Sequence, residues 1–181
     1  KDPFVDIICT AIPENLLESE LFGYEAGAFT SARTRKLGLF EIAEDGTLFL
    51  DEIGDMSLNL QAKLLRAIEK KVIKRLGGIN DIPINARIIS ATNKNIEQLI
   101  EEGSFRRDLF HRLNVVTIEL PPLKERSEDI ISLADHFIED FNFTFNKSVK
   151  KISRELRYFF LGYPWPGNVR ELKNVIERAV L

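Results

Sequence analysis

Residues 46 to 54 of this 181-residue chain contain the pair of side chains best placed to do chemistry. An apolar run, Thr47-Leu48-Phe49-Leu50, ends in two adjacent carboxylates, Asp51 and Glu52. Bounded by Gly46 and Gly54, the run reads as a buried parallel strand. Ligands of open α/β sheets bind just past the carboxyl ends of the strands. Neighbouring side chains on a strand point to opposite faces, so two acids at its end can take different work. One can hold a hydrated Mg²⁺ while the other orients or deprotonates a water aimed at a phosphate. The simpler reading is a strand running into an acidic turn.

Other residues fall where they could join such a site. Ser90-Ala91-Thr92-Asn93 ends a later strand around Ile88-Ile89 with a hydroxyl and an amide, groups suited to a γ-phosphate; Asn93 is equally suited to cap the next helix. Arg106 and Arg112 flank a short helical segment but are six residues apart, hence on different faces. An arginine reaching a transferred phosphoryl group stabilises its developing charge, and surface salt bridging is the ordinary alternative. Arg170 follows the rigid turn Pro164-Trp165-Pro166-Gly167 and could reach a phosphate; an ordinary solvated arginine is the alternative. Gly27-Ala28-Phe29-Thr30-Ser31-Ala32 sets one aromatic among small residues. That suits an exposed contact anchor, or a ring folded back into the core. Two histidines, His111 and His136, are too few for a zinc site.

The elements that must position these residues follow from periodicity. Phe4 to Cys9 is a first strand. Glu14 to Phe22 is a helix with Leu16, Leu17, Leu21 and Phe22 on its apolar side. Ser57 caps a helix with the stripe Leu60, Leu64, Leu65 and Ile68, broken by Leu76-Gly77-Gly78. A helix over about 96–102 and a short one over 106–112 precede a fourth strand, Val115 to Leu120. Pro121-Pro122 ends the alternating pattern. Ser127 opens an amphipathic helix with the stripe Ile130, Ala134, Phe137, Ile138 and Phe141. Asn168 and Glu171 form a capping box for the last helix, whose stripe is Val169, Leu172, Ile176 and Val180. Strands alternating with helices imply an α/β parallel sheet, and the tail implies a small α-helical subdomain. The expected division is 1–124 and 125–181.

Composition narrows the function classes. Hydrophobic residues make up 44% and charged residues 29%, as in soluble globular domains. A net charge of −3 argues against a broad basic grip on nucleic acid. A single cysteine, Cys9, permits no internal disulfide and fits a reducing cytoplasm. No apolar stretch is long enough to span a bilayer.

Taken together, the motifs resemble the central AAA+ domain of bacterial sigma-54-dependent transcriptional activators (enhancer-binding proteins). The matching stretches run almost end to end: Ile12 to Gly23, Gly27-Ala-Phe-Thr30, Gly46 to Ile53, Gln61 to Arg66, Ala91-Thr-Asn93, Phe105 to Leu113, Leu120-Pro-Pro-Leu123 and Trp165 to Lys173. The resemblance implies an ATPase that acts as a hexameric ring and remodels sigma-54 RNA polymerase holoenzyme at closed promoters. It also implies a signal-responsive or two-component regulator whose DNA contact lies in a separate domain. It makes Asp51 and Glu52 the Walker B pair, with Asp51 on Mg²⁺ through water, and Thr92 and Asn93 the γ-phosphate sensor. Arg106 and Arg112 become finger arginines acting on a neighbour's ATP, and Arg170 the lid's sensor. Gly27 through Ala32 become the sigma-54 contact, and 75–85 a second surface loop.

Three departures accompany it. The phosphate-cradling Gly-x-x-x-x-Gly-Lys-[Ser/Thr] loop and the strand before it do not occur in these residues, so the sheet is expected to show a gap between the strand ending at Ala91 and 115–120, or a strand supplied from elsewhere. Ile8 stands where the family usually has an Asn that restrains the catalytic glutamate. Ser31 replaces the loop's second glycine. An alternative class is a non-hydrolysing regulatory or assembly module that keeps the AAA+ surface.

Overall fold

Strands joined by helical crossovers pair in parallel, and the first half of the chain alternates in that way. The computed structural model describes residues 2–181 as two units, one ending at Thr117 and one spanning Ile118–Leu181. The first unit contains β1 (Phe4–Ile8), α1 (Glu14–Phe22), β2 (Gly23–Tyr24), β3 (Lys36–Leu37), the single turn α2 (Leu39–Ile42) and β4 (Thr47–Asp51). It continues with α3 (Leu58–Lys70), β5 (Val72–Ile73), β6 (Ile82–Pro83), β7 (Arg87–Ser90), α4 (Ile96–Glu101) and α5 (Arg107–Leu113). The second contains α6 (Ser127–Phe145), α7 (Arg154–Gly162) and α8 (Asn168–Val180).

The site is carried by a three-stranded parallel sheet ordered β1-β4-β7. Its register sets Ile8 opposite Asp51 and Leu50 opposite Ser90. Alternation along β4 sends Leu48 and Leu50, both fully buried, into a core with Leu17, Leu21, Phe22, Phe40, Leu60, Leu64 and Leu109. On α1, Leu17 and Leu21 are one turn apart and buried, whereas Leu16 is exposed, against the expected stripe. One residue is about 100° of helix, enough to carry Leu16 off the core face. On α3, Leu60, Leu64 and Ile68 are buried as expected. That helix stops at Lys70, well before Leu76-Gly77-Gly78: Lys71 takes the left-handed conformation, φ 55°, and the chain turns into the β5–β6 hairpin.

The expected fourth strand is corrected. Residues 115–120 form no strand, and Val115, Val116, Ile118 and Leu120 are 80% exposed or more. β7 pairs only with β4 among the described residues. An apolar β-branched run becomes a strand only when a neighbouring ladder accepts its backbone groups, and none does here.

In the second unit the predicted stripe of α6 is buried in full, as are Leu172, Ile176 and Val180 of α8. Trp165 is buried, with Nε1 donating to the Phe160 carbonyl at 2.8 Å. The expected Asn168–Glu171 capping box is rearranged. Glu171 Oε2 accepts from the Gly167 N–H at 2.8 Å, and Asn168 Oδ1 instead accepts from the Leu123 N–H at 2.7 Å. The Asn168 amide thus fixes the Leu123 turn.

Candidate functional site

The two acids sit at the carboxyl end of β4, where the ladder runs one residue further on both sides. The Cys9 N–H donates to the Asp51 carbonyl, the Ala91 N–H to Leu50 and the Ile53 N–H to Ala91, all within 2.9–3.0 Å. Between them Glu52 adopts a left-handed conformation, φ 54° and ψ 44°, with its N–H on Asp51 Oδ1 at 2.9 Å. That backbone costs a non-glycine residue about 1–3 kcal/mol and is held by the ladder around it. No sequence pattern announced it.

Thr92 and Asn93 arrive beside the acids at the end of β7. The Asn93 N–H donates to Glu52 Oε2 at 3.4 Å, and the Lys94 N–H donates to Thr92 Oγ1 at 3.1 Å. Gly54 lets this happen: a β-carbon there would lie 2.8 Å from Thr92 Oγ1 and 3.3 Å from Leu99 Cδ1. Lys94 Nζ forms an ion pair with Asp55. The cap of α4 is Asn95, whose side chain accepts from the Gln98 N–H, and Asn93 does no capping. Cys9 is buried at the same strand ends. Burial first, then the charges of Asp51 and Asp55, push its thiol up to about 11.

Arg106 precedes α5 and is bound as a fork by Asp108, Nε to Oδ1 at 3.0 Å and Nη2 to Oδ2 at 2.7 Å. Those hydrogen bonds hold the Asp108 carboxyl below its usual range. Arg112 is exposed in the last turn of α5. The two arginines therefore differ in restraint. His111 is exposed, with its ring 5.7 Å from Phe110. Among the described residues no group of three or more His, Cys, Asp or Glu side chains could hold a metal by itself.

The 27–32 loop is closed on itself. The Gly27 N–H donates to the Ala32 carbonyl at 2.8 Å, and the Ala32 N–H to Phe29 at 2.9 Å. Ala32 is buried, so it closes the loop rather than offering surface. Phe29 is 40% exposed, its ring edge-on to Tyr24 at 4.9 Å. It is therefore neither fully free nor in the core. The loop's base meets the second loop. The Glu25 N–H donates to Leu76, the Leu76 N–H to Gly23, and Arg75 pairs with both Glu25 and Glu41.

In the second unit an open groove of about 870 Å³ is lined by Leu120, Pro122, Arg126, Asn168, Arg170 and Lys173, among others. Three of those six carry positive charge, and Arg170 is exposed at its wall.

Motif reading missed Gln61. It is fully buried on α3, and its amide bonds three backbone groups at Met56, Ser104 and Arg106. The available signal was a polar side chain three residues before Leu64, on the helix face that should be apolar.

A parallel sheet with acids at the end of one strand, polar residues at the end of the next, and a separate helical unit defines the AAA+ class. Residues 1–119 match the Sigma-54 interaction domain and residues 124–181 the AAA+ ATPase lid domain. The chain belongs to the sigma-54 interaction domain family. It is 55% identical over 179 residues to the DNA-binding transcriptional activator HyfR of Escherichia coli strain K12, covering 99% of this chain and 27% of HyfR. It is 51% identical over 181 residues to the regulatory protein AtoC of the same strain, covering all of this chain and 39% of AtoC. The sigma54-dependent transcriptional activator SfnR of Pseudomonas putida is 49% identical over 179 residues, with 99% of this chain and 49% of SfnR covered. The chain thus spans between about a quarter and a half of these relatives. NtrX from Brucella abortus, solved also in complex with ADP and with ATP, superposes with TM-scores of 0.89–0.90 at 38–39% identity. The match covers 97% of this chain and 39% of that of NtrX.

Proposed function

We propose that the full-length protein is an ATP-hydrolysing transcription activator that remodels closed promoter complexes of sigma-54 RNA polymerase, and that this chain supplies its acids, γ-phosphate sensor and lid without the phosphate loop that binding ATP by itself would need. The observation that carries the reading is the meeting of Asp51 and Glu52 with Thr92 and Asn93 at one end of the sheet. The family and the nucleotide complexes of NtrX support ATP as the substrate.

The donor set suits magnesium. Mg²⁺ keeps several waters and takes one or two carboxylates plus substrate phosphates, so it needs no all-protein cage. Asp51 would hold the hydrated cation. When bound, MgATP supplies the scissile phosphoanhydride and a cation that offsets its charge. Glu52 would orient the attacking water and take its proton. Thr92 and Asn93 would meet the γ-phosphate, and Arg170 would add positive charge from the lid. Arg106 and Arg112 would act on the nucleotide of a neighbouring copy in a hexameric ring. Phe29 and Thr30, with the flanking small residues, would contact sigma-54. DNA binding would fall to a separate domain and the setting would be the cytoplasm.

The test is promoter opening in vitro by the full-length protein with sigma-54 holoenzyme. Expected is opening that requires hydrolysable ATP. Opening with a non-hydrolysable analogue, or no ATP hydrolysis at all, would overturn the proposal.

A further inference from the structure

We propose that Gln61 is a positioning residue that sets Arg106 relative to the turn carrying the two acids; this rests on the reading of Arg106 as acting in a neighbour's site.

Gln61 lies in the middle of α3 and is fully buried. Its Nε2 donates to the Met56 carbonyl at 2.7 Å and to the Ser104 carbonyl at 3.0 Å. Its Oε1 accepts from the Arg106 N–H at 2.8 Å. Both amide hydrogens and the carbonyl are thereby used. Met56 stands five residues after Asp51, in the turn that follows β4, and Ser104 and Arg106 form the entrance to α5. One side chain therefore joins the segment that holds the acids to the segment that presents the arginine. Phe105, between the two bonded residues, is buried, so the chain is fixed there by an apolar anchor as well.

A buried amide could be only internal glue for this corner of the core. The two roles differ in what they do to each half of a shared site. A positioning role damages the arginine that a subunit offers its neighbour and leaves that subunit's own acids working. A general packing role damages both.

The variants are Gln61→Met, which keeps the shape and loses every donor, and Gln61→Asn, which keeps the amide and shortens its reach. Each is made in the full-length protein and assayed for ATP hydrolysis, nucleotide affinity and melting. Expected for Gln61→Met is a fall in kcat of about 10–100-fold, the scale of a misplacement of about 1 Å, with nucleotide affinity changed less than about threefold. Mixing with Glu52→Gln subunits should restore hydrolysis, because the variant then supplies the acids and the partner supplies a well-placed arginine. Mixing with Arg106→Ala subunits should not. Gln61→Asn should fall between.

Wild-type kcat in a folded Gln61→Met protein overturns the proposal. So does loss of activity that Glu52→Gln subunits fail to rescue, and so does melting of both variants below the assay temperature. If Arg106→Ala alone hydrolyses ATP normally, the reading of Arg106 fails instead, and the two failures are distinguishable.

Discussion

The N–H of Asn93 donates to Oε2 of Glu52 across 3.4 Å, linking the end of β7 to the side chain proposed as general base. Ile8 lies opposite Asp51 in the sheet and carries no polar group.

Glu52→Gln should abolish ATP hydrolysis in the full-length protein while leaving nucleotide binding within a few-fold. The amide keeps the shape and loses the base, a change that typically costs about 10²–10⁴-fold. Steady-state turnover together with titration calorimetry measures both. Turnover near the wild-type rate would remove Glu52 from the chemistry.

Gly54→Ala should lower kcat and the melting temperature together. The new methyl would stand 2.8 Å from Thr92 Oγ1 and must push that side chain aside. Overpacking of this kind costs about 1–3 kcal/mol. Unchanged turnover and melting would show that the two strand ends separate freely.

Phe29→Ala should spare ATP hydrolysis and eliminate promoter opening. The ring is 40% exposed and touches Tyr24, in a loop distinct from the strand ends that bear the acids. An Ala variant that still opened a sigma-54 promoter in vitro would end the contact reading.

Cys9 should resist alkylation at neutral pH in the folded protein and react readily once unfolded. Its thiol is held up at about 11, so the folded state keeps the proton longer than the unfolded chain does. The sign follows: this contribution to stability is complete below the ordinary thiol value and disappears as pH rises toward 11. Cys9→Ser should flatten that alkaline loss. Peptide mass spectrometry after timed alkylation gives the reactivity, and rapid labelling at pH 7 would contradict it.

Much of the architecture could be read from periodicity. The boundaries of α1 and the stripes of α6 and α8 depend on local spacing, which the sequence displays. The errors were of another kind. Residues 115–120 have the composition of a strand, but strand formation depends on a partner ladder that composition does not record. Asn93 and Asn95 are equally good caps by type, and only the path of the chain after β7 chooses Asn95. Glu171 caps the last helix from Gly167 because the Asn168 amide is drawn to Leu123. At the site, the acids and Thr92-Asn93 are visible as motifs. The left-handed Glu52, the close approach at Gly54 and the Gln61 bridge are not, since each arises where segments distant in sequence meet.

Two of the five N–H donors of Arg106, on Nε and Nη2, are already held within its own chain by both oxygens of Asp108. An anion that draws it away must therefore win a competition against a carboxylate. A polyphosphate carries several negative charges where Asp108 carries one, and fork-shaped binding favours both. Arg106 and Asp108 are 41% and 48% exposed, so water screens the pair and the competition is a mild one.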